Sequence, residues 1–414
     1  MPSKLIPFSA SLLRPNDPLP FAVYDAGGRL LLAAGQTVES VEKLKLIAAS
    51  KLLVDETEAL DWNRRLVAAM DQAMRQGAAL KDVVAARPEP AAKEPAAAAE
   101  QTLLECWQQL VLQLEAALRD LTPDSDWRAR LLGVHGRARA LVAKRSDASL
   151  YTLVHEVGSS SRRYSCTHAL LCMLICEQTA ATLSWSSEWT DSLGRAALLM
   201  NVAMLRLQDM LANSPTPPSA EMRKDIQAHA ENGARMLAQA GLPDRLCLEA
   251  VRLHHETSHE DVPLAQQPAA TQVARLLRRV DIFAAKISRR ESRPPMSPVQ
   301  AAREACLGAS GVPDEIGAAL LKTVGLYPPG SFVELLSGEL GIVIKRGRRA
   351  NLPYVASLIS ASGSALGEPL MRDTLDRRYS VKAALPPTRV KVLPQHEKLL
   401  ALIKNGSELH SLFK

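Results

Sequence analysis

The chain has 414 residues, enough for two or three domains at roughly 150 residues each. Hydrophobic residues make up 47% and aromatic residues only 4%, while 50 basic against 44 acidic side chains leave a net charge of +6. So mild and interleaved an excess gives no reason to expect nucleic acid as a partner, and no apolar run approaches the roughly 20 residues of a membrane span. The six cysteines (Cys106, Cys166, Cys172, Cys176, Cys247, Cys306) show neither CxxC nor disulfide-framework spacing. With no secretory signal read at the start, reduced thiols in a cytoplasmic protein are expected.

Residues 1–75 read as a small α+β module. FAVYDAGGRLLLAAGQTV gives a hairpin broken at Asp25-Ala26-Gly27-Gly28, VESVEKLKLIAAS a helix, and KLLVDE a closing strand. Residues 76–100, which end in AARPEPAAKEPAAAAE (85–100), read as an Ala/Pro-rich linker. From 101 to 330 helical periodicity is almost continuous: TLLECWQQLVLQLEAALRDL, DWRARLLGVHGRARALVAK, THALLCMLICEQTAATL, SLGRAALLMNVAMLRLQDML, AEMRKDIQAHAENGARMLAQAG, PDRLCLEAVRLHHE and AATQVARLLRRVDIFAAKIS. Thr122-Pro123-Asp124 and Pro217-Pro218-Ser219 read as N-terminal helix signals. Residues 331–414 form a β-rich extension. LGIVIKRGRRANLPYVASLIS predicts two strands around a basic turn, YSVKAAL and VKVL further strand, and HEKLLALIKNGSELHSLF a terminal helix. The expected fold class is mainly α, a helical bundle with a small N-terminal α+β module and a C-terminal β-containing extension.

The stretch VRLHHETSHEDVP holds three of the nine histidines. Neighbours on a helix point about 100° apart, so His254 and His255 alone cannot close a coordination sphere. Partners are available near the interiors of other helices in His168, His229 and Asp281. Any one of these alone reads as a hydrogen-bonded buried group; taken together they suggest a divalent cation. His259 reads as a loop residue or a replacement ligand. Cys172 and Cys176, spaced i, i+4, read as small buried thiols rather than ligands. In KRGRR, Lys345, Arg346, Arg348 and Arg349 offer a phosphate-binding patch, with a solvated hairpin turn as the plainer reading. No Gly-rich phosphate loop, nucleophile elbow or zinc-finger spacing is present.

Residues 150–335 resemble the HD-GYP family, bacterial metal-dependent phosphodiesterases that open cyclic di-GMP. YSCTHALL is similar to that family's first histidine helix, IQAHAENGARML to its His-x-x-x-Gly helix, AVRLHHE to its double-histidine helix and RRVDIFAAK to its aspartate helix. SRPPMSPVQAARE and VGLYPPGSFVEL resemble the segments that close the domain, and the N-terminal module resembles one that often precedes it. The resemblance implies an HD-domain-like helical bundle, with His168, His229, His254, His255 and Asp281 as metal ligands for iron, manganese or zinc.

Both motifs that name the family are damaged. Met200, Asn201, Val202, Ala203 and Met204 stand where the resemblance places His-Asp-x-Gly-Lys, and TSHEDVP follows the double histidine without the glycines or tyrosine. Tyr164 occupies a position that is acidic in some members. The lost aspartate resembles a bridge between two metals. Two divalent ions about 4 Å apart repel by about 17 kcal/mol at an effective dielectric of 20, and a neutral Asn201 does little to offset this. Met200 offers only a soft thioether, and the missing lysine removes a cation for the phosphate. Met200, Met204 and Leu207, with Leu193 and Ala197, read as one apolar core face. The expected function is a degenerate, non-catalytic regulatory or binding protein in cyclic di-GMP signalling. The alternative is a residual phosphodiesterase with one metal. The candidate partners are cyclic di-GMP or a related nucleotide, a protein such as a diguanylate cyclase, and a second copy of the chain paired through residues 102–121.

Overall fold

A computed structural model describes residues 5–8, 19, 21–25, 30–32, 52–75, 79, 81, 102–258, 262–307, 311–386 and 389–411. The helix expected over VESVEKLKLIAAS, the Ala/Pro-rich stretch 82–100 and His259 lie outside the described residues. The chain divides into two compact units, Met1–Glu100 and Gln101–Lys414.

In the first unit, strands β1 (Leu5–Phe8), β2 (Val23–Tyr24), β3 (Leu30–Leu32) and β4 (Leu52–Asp55) form an antiparallel sheet in the order β1-β4-β2-β3. Val23 pairs with Leu32, as the hairpin reading requires. Helix α1 (Glu56–Arg75) follows β4 directly and was not expected from the sequence. Its Trp62 meets Phe21 edge-on at 5.8 Å, giving this small unit an aromatic anchor to its core.

The second unit is built on α2 (Leu103–Leu118), α3 (Trp127–Lys144), α4 (Ser146–Ser159), α5 (Tyr164–Thr182), α6 (Ser187–Leu199), α7 (Leu205–Ala212), α8 (Ala220–Gln239), α9 (Arg245–Leu253), α10 (Ala269–Ile287), α11 (Pro298–Cys306) and α12 (Glu315–Val324). Apolar side chains surround α5 on every side, and a helix of that kind must be central. It is buried over almost its whole length and packs against α2, α3, α4, α6, α7, α10 and α12. Its hydroxyls turn back on the helix, as where Thr179 Oγ1 donates to the Ile175 carbonyl at 2.7 Å. Cys172 and Cys176 are fully buried thiols.

Residues 331–411 continue this unit as β5 (Phe332–Leu335), β6 (Leu340–Lys345), β7 (Tyr354–Ile359), β8 (Ala365–Asp373), β9 (Val381–Leu385) and α13 (His396–Ser411). The strands form an antiparallel sheet ordered β8-β7-β6-β5-β9. Two glycines of the GLYPPG stretch, Gly325 (φ 85°) and Gly330 (φ 91°), turn the chain from α12 into β5 in a backbone region that side chains disfavour.

Four local expectations are corrected. The helix expected over 192–211 is broken: Asn201 (φ −104°, ψ 15°) leaves helical geometry, and a 3₁₀ turn over Val202–Met204 separates α6 from α7. Met200, Leu193 and Ala197 are fully buried, but Met204 and Leu207 beyond the break are only half-buried, so the continuous core face does not exist. VKVL is not a strand, whereas β8, which carries Pro369, is one; it lies at the sheet edge, where a missing N–H is tolerated. Thr122-Pro123-Asp124 forms a turn, with Ser125 N–H donating to the Thr122 carbonyl at 3.2 Å, and α3 starts beyond it.

Candidate metal centre

The donor residues are delivered by four helices. His168 and Cys172 lie one turn apart on α5, His229 lies midway along α8, His254 and His255 follow the last turn of α9, and Asp281 sits on α10. Helix α9 is set at its start by Asp244, whose side chain accepts from the Cys247 backbone N–H at 2.9 Å as an N-cap. The same carboxylate binds Arg195 of α6 at 2.6 Å, fixing α9 to α6.

His229 and His254 are oriented by their own helices. Each presents Nδ1 to the carbonyl three residues back, His229 to Ile226 at 2.5 Å and His254 to Val251 at 2.6 Å. A carbonyl only accepts, so Nδ1 carries the proton and Nε2 keeps its lone pair. The two Nε2 atoms then face each other at 3.2 Å. Burial lowers the pKa of His229, and burial together with the neighbouring His255 pushes that of His254 down to about 3. A proton shared between them would place an imidazolium where burial opposes it, whereas a cation accepts both lone pairs. At a ligand bond of about 2.05 Å, a 3.2 Å separation corresponds to an angle of roughly 100°, close to tetrahedral. The His255 ring lies 4.9 Å from that of His229 and 4.1 Å from that of His254, and the three residues bring one nitrogen each within 4.8 Å of one another. These residues fit a divalent ion. His255 is exposed at the rim, whereas His254 beside it is fully buried.

The other two sequence candidates form a second group. His168 Nε2 contacts Asp281 Oδ1 at 2.8 Å, and Cys172 Sγ lies 3.5 Å from the same nitrogen. Burial alone would raise the Asp281 carboxyl, but the His168 hydrogen bond and the surrounding imidazoles outweigh it and hold the group well below the usual carboxylate range. Burial raises the Cys172 thiol well above its usual value. Tyr164 stacks on His168 with centroids 5.5 Å apart, and its hydroxyl accepts from Arg290 at 2.8 Å. It supplies a ring and no carboxylate.

The remaining candidates lie apart. Met200 and Asn201 are buried at the end of α6, which packs against α5, α9 and α10, and the following turn packs on α8. Helix α6 thus packs on three of the donor-bearing helices, and the turn after it on the fourth. Arg346 is tied inward to Asp147 (2.6 Å), Gln178 (2.6 Å), Ser146 (2.7 Å) and the Thr323 carbonyl (2.8 Å). Lys345 lies over the Tyr354 ring at 5.4 Å, and Arg348 and Arg349 are exposed. A cleft of about 330 Å³ between α2, α4 and the start of α5 is lined by Trp107, Leu153, Glu156 and Arg163, and by none of the donors.

Sequence reasoning did not single out Asp209 of α7, which accepts from the Ser165 backbone N–H at 2.7 Å and so caps the start of α5 where Arg163 provides no side-chain cap. It also did not associate Cys172 with His168 and Asp281. The i, i+4 spacing from His168 was the available signal.

No protein-family model matches the chain. Over 209 residues it is 27% identical to the cyclic di-GMP phosphodiesterase PA4108 of Pseudomonas aeruginosa, a match that covers 49% of this chain and 50% of that protein. The chain thus spans about half the length of this curated relative. Among solved structures it is similar to Bd1817, an HDG"Y"P protein of Bdellovibrio bacteriovorus, at 13% identity and a TM-score of 0.42, covering 77% of this chain and 98% of that one. The HD-GYP resemblance read from the ordered motifs is supported. Among the described residues no helix is long and apolar enough to cross a membrane.

Proposed function

We propose that this HD-GYP-type chain acts in cyclic di-GMP signalling as a regulatory or binding protein that holds a divalent cation on His229, His254 and His255 and lacks the two-metal phosphodiesterase centre. The observation that carries this reading is the contrast at the bundle centre. Three imidazoles converge with two lone pairs opposed at 3.2 Å, while the neighbouring end of α6 presents Met200 and Asn201. A bound cation lowers the pKa of a coordinated water and polarises a phosphate oxygen. The three histidines would hold it. Asp281, kept ionised, adds negative charge close to them, and Asn201 supplies none. The exposed face of His255 leaves this group open on one side.

Cyclic di-GMP, or a related nucleotide, is the ligand this reading assigns, and a diguanylate cyclase is the corresponding class of protein partner. Isothermal titration of the full chain with cyclic di-GMP should show binding. Incubation with manganese or iron(II) should leave the nucleotide intact. Turnover comparable to that of an active phosphodiesterase, with two metal ions per chain, would overturn the reading. Slow hydrolysis with one ion would favour the second reading, a residual single-metal phosphodiesterase, which the convergent histidines support.

A further inference from the structure

We propose that the cleft between α2, α4 and the start of α5 is a separate ligand site, shaped for a small monoanion with a flat apolar body, such as an arene carboxylate. This goes beyond the signalling reading and does not depend on it, because none of the histidines or Asp281 lines the cleft.

The cleft has an apolar floor. Trp107, Val111 and Leu153 line it and are buried, and Leu112 beside them leaves 47% of its surface exposed. Its volume of about 330 Å³ falls at the lower end of the range for ligand sites and suits one ring system better than a dinucleotide. Trp107 is 1% exposed, yet its indole N–H has no hydrogen-bond partner among the described residues. The other fully buried indole, that of Trp127, donates to the Ala240 carbonyl at 3.2 Å. An unpaired buried donor is unfavourable, and an acceptor carried by a molecule in the cleft would satisfy it.

Charge gives the ligand its sign and direction. Arg163 turns the chain from α4 into α5 in left-handed geometry (φ 50°, ψ 43°), which is uncommon without glycine. Its guanidinium is already taken by Glu115 at 2.9 Å. Arg162 next to it is exposed, and among the described residues only its backbone N–H is engaged, by Ser160 Oγ at 3.1 Å. Its guanidinium therefore stands at the cleft as a cation without a partner acid. Glu156 also lines the cleft, and the hydrogen bond to His155 outweighs burial and lowers its pKa, with a further contribution from Gln108. It stays ionised and repels a second carboxylate, so the acid group of a ligand goes to Arg162 and the ring to Trp107 and Leu153.

Cinnamate is the probe, with cinnamamide as its neutral counterpart. In the full chain carrying ¹⁵N-labelled tryptophan, one indole N–H signal should move downfield as cinnamate is added, and it should be the signal missing from Trp107→Phe. Cinnamate should bind Arg162→Gln about tenfold or more weakly, and cinnamamide should bind the wild type with a similar loss, the scale of a charge-assisted hydrogen bond. Arg162 is exposed, so its substitution leaves the fold in place. A Trp107 signal that does not move at millimolar cinnamate, equal affinity for acid and amide, or undiminished binding to Arg162→Gln would each overturn the proposal. Failure of cyclic di-GMP to bind would leave the cinnamate titration unchanged.

Discussion

The end of α9 and the end of α6 lie in one bundle, and each stops where the HD-GYP resemblance places metal ligands. At the first, His254 and the facing His229 of α8 are each fixed by a backbone carbonyl three residues back, so their tautomers are settled before any ion arrives. At the second, Met200 is fully buried and Asn201 departs from helical geometry into a 3₁₀ turn. A histidine anchored by its own helix keeps its direction whatever stands across the site. A bridging carboxylate has no such anchor; it is worth its burial only while it faces cations, and a neutral amide such as Asn201 is buried at lower cost.

The largest test of this contrast is His254→Ala, which removes one of the opposed lone pairs. Metal affinity at the three-histidine group should fall by more than about 100-fold, since even outer partners of a ligand account for 10–100-fold. Elemental analysis after dialysis reads it directly, and retention of the ion would show that the facing nitrogens are not its ligands. The converse change, Met200→His with Asn201→Asp, places an acid where none stands. Without metal it should destabilise the fold by about 3–5 kcal/mol, the scale of an unpaired buried charge, and added manganese should restore the melting temperature with further metal bound. A melting curve indifferent to manganese would mean that the end of α6 does not face the donors.

Gly194→Ala tests whether α6 is held in place independently of its lost ligands. A Cβ there would fall within the van der Waals shell of Glu177 Oε1 and 2.6 Å from His135 Nε2, two side chains already bonded at 2.5 Å. A loss of about 1–3 kcal/mol, typical of overpacking, is expected in urea unfolding, with metal content per folded chain unchanged. The smallest effect lies away from both helix ends. The Tyr151 hydroxyl and His396 Nδ1 share a hydrogen bond at 2.6 Å, and burial, with the neighbouring His155, pushes the pKa of His396 down to about 4. As pH falls from about 6.5 towards 4, the unfolded chain takes up a proton that the folded one refuses. Stability should therefore decline across that window and be flat above it, with a shallower slope in His396→Asn, while the donor groups remain intact.

Much of this arrangement was readable in the residues. The helical order follows from local spacing, and the resemblance singled out His168, His229, His254, His255 and Asp281, which the fold brings together in two neighbouring groups. The break after Met200 was hidden because apolar spacing of three and four continues through it, and periodicity records facing residues without reporting backbone angles. Helix α4 escaped because it buries Ser149 and Thr152, which a hydrophobic pattern treats as surface. The division of the donors into two groups depends on where α10 crosses α5. That crossing gives Asp281 its hydrogen bond to His168 while leaving its charge close to the three histidines.

Arg346 carries a consequence for how this chain can be cut. One guanidinium reaching from the turn after β6 to Ser146, Asp147, Gln178 and Thr323 rivets sheet and bundle together through four points on three helices. Trimming after residue 330 would strip those acceptors of their partner and lay bare the apolar side chains that β6 and β7 contribute to the shared core. The piece that can be transplanted intact is therefore the whole of Gln101–Lys414.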